Sequence, residues 1–579
     1  MDDPILSGFK QRLERIYSER NDLQELAQNI LRLCQQFSDN AARQESAVRA
    51  ERWSEQDVIL ITYGHSIQHS GEIPLQTLGD FLRAHLQDTV NNVHILPFFP
   101  YSSDDGFSVI DYRQVNPDWG SWEDISAIAR DFDLMMDLVI NHCSRENLWF
   151  VDYIANREPY SDYFIETDPA TDVSAVTRPR NTPLLTPVHT HRGVRHVWAT
   201  FSEDQIDLNF ENPAVLLEFI QILLLYVERG ARFIRLDAIA FLWKKIGTRC
   251  VHLPQTHEVV KLLRDVLDYA APEVVLITET NVPVAENLSY FGQSDEAHMV
   301  YQFGLPPLVL HALNRGNASF LTDWADKIPP LPPGCTYLNF TASHDGIGVR
   351  PVEGILPERE VQDLIDSMHR FGGFVSMKAN PDGSQSPYEI NISLFDACMG
   401  TRRGSDHFQV QRFLCSQAIM LALRGIPALY IHSLVATPND LDHVEQTGRT
   451  RSINRKIWDK HELECLLNNP VTPQAEVFTE LRRIIRIRRD QKAFHPDARQ
   501  DIVRINSDLF IVKRTSVDNS QTLYALSNVT ERILQLPLAS LGFLPGGLTD
   551  LLSHHEADIA ATEILTLAPY QTVWLTQSL

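Results

Sequence analysis

Eight short apolar, β-prone runs recur along the chain, at residues 58–64, 93–100, 134–142, 232–239, 274–281, 299–303, 336–345 and 426–434, with helical patterns between them. Strands that alternate with helices pair in parallel, because each helix carries the chain back to the edge where the next strand starts. Eight such units are what a closed barrel needs. An open doubly wound sheet is the alternative, but no Gly-rich phosphate turn follows the first run. The expectation is an α/β chain built on a (β/α)8 TIM barrel, with inserted loop subdomains and a C-terminal all-β domain.

Segment lengths divide the chain further. Apolar positions at helical spacing (Leu13, Ile16, Leu23, Leu26, Ile30, Leu33) predict a helical N-terminal extension over 1–52, packed on the main domain or on a partner subunit. The barrel occupies 53–500. Two intervals are too long for a single helix: a Pro- and Thr-rich insertion at 143–207 and a second at 349–404, and long loops of this kind are functional when they cap a barrel mouth. Alternating strands without helices from 501 to 579 predict a β-sandwich.

The 579 residues carry 51 Lys+Arg against 75 Asp+Glu, a net charge of −24, which argues against nucleic acid or an anionic membrane as partner. Seven scattered cysteines without a CxxC pair fit reduced thiols, and the charged N-terminus has no signal-peptide run, so a cytoplasmic protein is expected. A homodimer is the one macromolecular assembly left open.

Barrel active sites collect at the C-terminal ends of the strands, so the informative residues are the polar ones closing each run. DLVINH, RLDAI, ITETN and ASHDGIG supply Asp137, Asn141, His142, Arg235, Asp237, Glu279, His344 and Asp345. Residues two apart on a strand share a face, so Arg235 points with Asp237, and a guanidinium beside a carboxylate lowers its pKa. That prepares a carboxylate nucleophile; a structural ion pair is the alternative. Clustered carboxylates with an arginine and two histidines describe a glycoside-processing site.

The order and spelling of these four segments resemble the signature regions of the α-amylase superfamily, glycoside hydrolase family 13. That resemblance implies Asp237 as nucleophile, Glu279 as general acid/base and Asp345 as the carboxylate that grips the sugar, with His142, Arg235 and His344 lining the glucose pocket. ITYGHS, HILPFFPYSSDDGF, RPR, SHDGIGV and RSINR resemble the sucrose-phosphorylase branch more finely. By that pattern Asp104 (or its neighbour Asp105) and Arg451 (between Arg449 and Arg455) meet the hydroxyls of glucose. Arg180, with Arg178 as the alternative, meets phosphate, and Tyr388 faces that site from a mobile loop of the second insertion. Where sucrose-specific members carry Val–His after the general acid and a tyrosine beyond the nucleophile, this chain has Thr280–Asn281 and Phe241. Those departures argue against fructose recognition, and the ETNVP string, the longer chain and the helical prefix resemble the glucosylglycerate phosphorylases of the branch, so the implied reaction is retaining phosphorolysis of an α-glucoside, glucosylglycerate first and sucrose next.

Physical chemistry favours phosphorolysis independently: an anion entering so acidic a protein needs local arginines that water does not. A hydrolase or transglucosylase would use the same three carboxylates, and a non-catalytic scaffold would have no reason to keep them. The expected partners are a small α-glucoside and phosphate. Inorganic phosphate is a co-substrate, with no other cofactor and no metal implied.

Overall fold

The structure is a computed structural model that describes residues 3–41, 51–379, 384–542, 547–553, 558–560 and 564–577. Parts of the expected helical extension (42–50), of the second insertion (380–383) and of the C-terminal region lie outside the described residues.

Each of the eight apolar runs matches a strand, three of which begin one residue before the run: β1 Ile59–Thr62, β2 Asn92–Ile95, β3 Asp133–Val139, β4 Ala231–Asp237, β5 Val275–Thr278, β6 Met299–Tyr301, β7 Thr336–Phe340 and β8 Ile426–Tyr430. Every strand pairs in parallel with its chain neighbours, and β8 closes on β1 through Ile59 opposite Ala428. A closed barrel therefore replaces the open-sheet alternative. Its strands are buried on both faces, between the barrel interior and the surrounding helices, which is why they read as unbroken apolar runs. The runs overshoot the strands at their C-terminal ends, where residues such as His142, Glu279 and Asp345 leave the ladder to line the mouth.

The N-terminal helices α1 (Pro4–Ile16) and α2 (Leu23–Ala41) pack on the barrel. Asp3 caps α1 by accepting the Ile5 N–H at 3.0 Å, and Phe9, Leu13 and Ile16 merge into the main core. Arg12 Nε reaches Asp265 at 2.9 Å on the helix Pro254–Ala270. The helix Pro213–Glu228 is apolar nearly all round because α2 covers the face turned away from the barrel.

Between β3 and β4 the first insertion is pinched at its neck by His142–Ser144 pairing antiparallel with Gln205–Asp207. It carries a hairpin, Leu185–Thr190 with Gly193–Trp198, whose Trp198 is buried with Val176, Leu184 and Cys250. After β7 a three-stranded sheet forms from Ile347–Gly348, Gln385–Asn391 and Phe374–Ala379. Beyond Arg499, a six-stranded sheet and the two-stranded pair Leu534–Pro537 with Ile564–Leu567 share a core of Ile511, Leu526, Leu536, Leu567 and Leu575. Among the described residues no helix is long and apolar enough to cross a membrane.

Candidate active site

Strand register assembles the centre of the site. Arg235 on β4 lies opposite Asp137 on β3, and Asp237 opposite Val139. One nitrogen of Arg235, Nη1, donates to Asp137 and, at 2.8 Å, to Asp237 Oδ1, while Nη2 stands 4.0 Å from Glu279 Oε2. Asp137 also takes His94 at 2.6 Å, and these partners outweigh its burial and lower it to about 2. Arg235 is therefore shared among three carboxylates. Burial, together with repulsion from Glu279, Asp137 and Asp345, pushes Asp237 well above the usual carboxylate range although Arg235 acts the other way. The expectation that the arginine alone sets a lowered pKa is thus corrected: desolvation wins at this largely buried site.

Glu279 is raised as well, by burial first, with Arg235 opposing and Asp345 reinforcing. Both carboxyls share one guanidinium, and Arg235 touches Asp237 at 2.8 Å but stands 4.0 Å from Glu279, so its charge supports the ionised form of Asp237 more directly. The backbone binds them further. Ala238, immediately after Asp237, sits at φ 51°, and its N–H donates to Glu279 Oε2 at 3.2 Å. A non-glycine residue held in the left-handed region beside two buried carboxyls is local strain of the kind that concentrates at functional sites.

Asp345 behaves oppositely. Burial disfavours its charge, but Arg451, His344, Arg455 and Arg235 hold it well below the usual range. Arg451 Nη1 lies 2.6 Å from Asp345 Oδ1, and its Nε and Nη2 grip both oxygens of Glu389 at 2.7 and 2.8 Å. All three guanidinium nitrogens thus have a carboxylate partner. Glu389, 1% exposed, is a pocket residue that strand alternation hides in the sequence.

The reason is a β-bulge. Ser376 pairs with Glu389 but Met377 pairs with Pro387, which leaves Tyr388 as an extra residue without a partner on that ladder. Consecutive strand residues otherwise face opposite ways, yet Tyr388 and Glu389 both line the pocket. Tyr388 thus stands in a strand, with its carbonyl accepting the Val349 N–H at 3.1 Å, where the sequence suggested a mobile loop.

Asp104 and Asp105 separate cleanly. Asp104 lines the pocket and accepts from Gln205 at 3.3 Å, whereas Asp105 is taken by Arg455 and, at 3.8 Å, Arg449. The turn is tight: Asp104, Asp105 and Gly106 have φ 52°, 48° and 111°, and a Cβ on Gly106 would lie 2.5 Å from the Pro97 carbonyl oxygen. His142 Nε2 is 2.9 Å from the Phe107 carbonyl, and His344 stacks on the Phe107 ring at 4.9 Å. Burial lowers both imidazoles, His344 to about 3, so both are neutral. Next to His142, Lys244 Nζ joins Asn141 and Asp207, each at 2.7 Å, placing an ammonium where the first insertion leaves the barrel.

Arg180 lines the same pocket, its guanidinium 5.8 Å from the centre of the Tyr388 ring, while Arg178 is not among the lining residues. Phe241, Thr280 and Asn281, the departures noted in the sequence, line it too, with Thr280 Oγ1 donating to Asn287 at 2.6 Å. The structure thus gathers Asp104, His142, Arg180, Arg235, Asp237, Glu279, His344, Asp345, Tyr388 and Arg451 in one cavity.

Residues 85–327 match the alpha-amylase catalytic-domain family. The chain is 44% identical to the glucosylglycerate phosphorylase of Escherichia coli (strain K12) over 97% of its length and 98% of that protein's. It is 47% identical to the glucosylglycerate phosphorylase of Spirochaeta thermophila, covering 82% and 80% of the two chains. The crystal structure of sucrose 6F-phosphate phosphorylase from Thermoanaerobacter thermosaccharolyticum superposes with a TM-score of 0.71 at 25% identity, over 84% of this chain and 95% of that one. With identity of this level running the length of both chains and the barrel carrying its carboxylates at the strand ends, the protein belongs to glycoside hydrolase family 13, in the branch that contains these phosphorylases.

Proposed function

We propose that this protein is a retaining α-glucoside phosphorylase that makes α-D-glucose 1-phosphate, with glucosylglycerate as the preferred donor and sucrose next. The observation that carries the reading is Arg180. Among the described residues it has no carboxylate within ion-pair distance, although it lines a cavity that contains five. A guanidinium held beside Tyr388 and left unneutralised is what a phosphate dianion requires and water does not.

In this reading Glu279, kept protonated by burial and by its neighbours, gives its proton to the glycosidic oxygen. Oε2 is held by the Ala238 N–H, so Oε1 carries the proton. Asp237 attacks the anomeric carbon, and Arg235, already in contact, stabilises the carboxylate before attack. The crowding of both carboxyls around one guanidinium supports the separation of about 5 to 5.5 Å that a retaining pair uses. Asp345, permanently ionised, and Asp104 hold glucose hydroxyls, with neutral His142 and His344 as further partners and Arg451 bracing Asp345. Phosphate, guided by Arg180 and Tyr388, then gives a proton back to Glu279 and displaces Asp237. Retention follows from two inversions. Six buried cysteines without disulfides support a reducing cytoplasm as the place of work.

The test is to incubate the protein with glucosylglycerate or sucrose, with and without inorganic phosphate, and to quantify glucose 1-phosphate and free glucose. Phosphate-dependent glucose 1-phosphate, faster from glucosylglycerate, is expected. Free glucose formed at one rate regardless of phosphate would leave a hydrolase on this barrel.

A further inference from the structure

The pocket binds two anions in turn if the proposed reaction holds, and its arginines can be counted against that need. Four arginines line it: Arg180, Arg235, Arg350 and Arg451. Arg235 is committed to Asp137 and Asp237, and Arg451 to Asp345 and Glu389. Arg180 and Arg350 remain. Among the described residues neither has a carboxylate within 4.0 Å, the distance that defines an ion pair. An unneutralised guanidinium, partly buried among carboxylates, is costly unless a ligand uses it.

Arg350 and Arg180 come from different elements. Arg180 belongs to the first insertion. Arg350 opens the short turn Arg350–Val352 after β7, directly behind Val349, whose N–H binds the Tyr388 carbonyl at 3.1 Å. Two residues earlier is Gly348, where an added Cβ would meet the Asn281 amide at 3.0 Å, so glycine leaves this amide its place. Asn281 Oδ1 is buried without a hydrogen-bond partner. A buried acceptor left unmade is expensive, and it lines the pocket two residues beyond Glu279, the group that handles the leaving oxygen.

We propose that Arg350 is the acceptor-specificity residue: it binds the carboxylate of a small 2-hydroxy acid leaving group, Asn281 takes that acid's free hydroxyl, and Arg180 is kept for phosphate. This rests on the phosphorylase reading above. In the synthetic direction the C1–O bond of glucose 1-phosphate breaks, Glu279 protonates the departing phosphate, and C1 passes to Asp237. The 2-hydroxyl of the acid then gives its proton to Glu279 and bonds C1 as Asp237 leaves. The carboxylate on Arg350 holds that hydroxyl in line without reacting.

The assay follows the synthetic direction with glucose 1-phosphate as donor and compares D-glycerate with D-glyceramide, its neutral isostere, in one preparation. The readout is the ratio of the two kcat/KM values, in which any unfolded fraction cancels. The native protein is expected to favour glycerate by about 10- to 100-fold, the range for a charge-assisted hydrogen bond. Arg350→Ala should bring the ratio close to one, and Arg350→Lys should keep part of it. Arg180→Ala should instead raise the KM for phosphate in the phosphorolytic direction and leave the ratio standing. A ratio unmoved by Arg350→Ala, or one that collapses in Arg180→Ala instead, overturns the proposal. A native enzyme that forms glucose 1-phosphate from a neutral glucoside yet ignores acidic acceptors also overturns it while sparing the phosphorylase reading; no phosphate-dependent product from any donor sinks that reading itself.

Discussion

Replacing Glu389 by glutamine isolates the brace behind Asp345. Glu389 is 1% exposed and accepts Nε and Nη2 of Arg451 at 2.7 and 2.8 Å, and Arg451 Nη1 holds Asp345 at 2.6 Å. Glutamine keeps the shape but turns an NH2 group toward a guanidinium N–H, donor against donor. One of two charge-assisted hydrogen bonds is lost, about 1.5–3 kcal/mol. Because Asp345 still neutralises Arg451, the cost stays under the roughly 3–5 kcal/mol of stranding a buried charge. Heating is a blunt assay for this. At about 2.1 cal/mol/K per residue, the unfolding entropy of a 579-residue chain is roughly 1.2 kcal/mol/K, so the midpoint moves by only about 2 °C. Kinetics reads it better. If the brace sets the position of Asp345 and that contact strengthens in the transition state, Glu389→Gln lowers kcat/KM for phosphorolysis by about 10- to 100-fold, mostly through kcat. Steady-state rates with glucosylglycerate and phosphate each varied against a saturating level of the other provide the test. A kcat/KM within twofold of the parent would refute the bracing role. A loss confined to the KM for phosphate would move Glu389 from the sugar side to Tyr388 and its strand.

Other perturbations have equally definite outcomes. Lys244→Met removes the partner of Asp207, which is fully buried, and should destabilise the neck of the first insertion by about 3–5 kcal/mol, seen as a lower urea midpoint; a change under about 1 kcal/mol would show that Asp207 does not need the ammonium. Gly106→Ala forces a Cβ against the Pro97 carbonyl at φ 111° and should displace Asp104, lowering kcat/KM at least about 10-fold for roughly 1–3 kcal/mol of strain. Buried His344 and His432 are both held down to about 3, so the unfolded chain takes up their protons from about pH 6.5 downward while the folded protein does not. Stability is therefore complete above that pH and falls as pH drops toward 3, by about 1.4 kcal/mol per pH unit for each histidine; urea titrations at pH 7, 6 and 5 should show the decline, and a flat profile would contradict the burial of the two rings.

The barrel was legible because its strands are buried on both faces, which leaves a run of apolar residues that no surface strand would show. Strand ends were not legible to the residue: the run at 134–142 starts one residue inside β3 and runs on to His142, which pairs across the insertion neck. The carboxylates could be found because barrel geometry sends strand-terminal polar residues to one mouth. Glu389 escaped because a regular strand would have turned it away from Tyr388. Pro387 was the available signal, since proline inside a sheet marks an edge or a bulge. The direction of the Asp237 shift was equally out of reach. Arg235 two residues away argues for a lowered pKa, and only the enclosed site, with Asp137 competing for the same nitrogen, shows why burial prevails.

The arginines make the general point in the sharpest form. In sequence, Arg180, Arg235, Arg350 and Arg451 are four cations among 51 basic residues, and nothing local distinguishes a structural one from one that waits for a ligand. Spacing exposed the Arg235 pair with Asp237, because both lie on one strand. The partners of Arg451 sit 62 and 106 positions away in the chain, on Glu389 and Asp345, so its commitment is a property of the fold alone. Once those two are neutralised, the electrostatics of the cavity depend on Arg180 and Arg350, which must offset an otherwise acidic lining whenever an anion enters. Removing either should therefore weaken anion capture, and flatten its loss with added salt, only for the anion it serves. That selectivity separates a built binding group from a merely basic wall, whose loss would weaken phosphate and carboxylate acceptor alike.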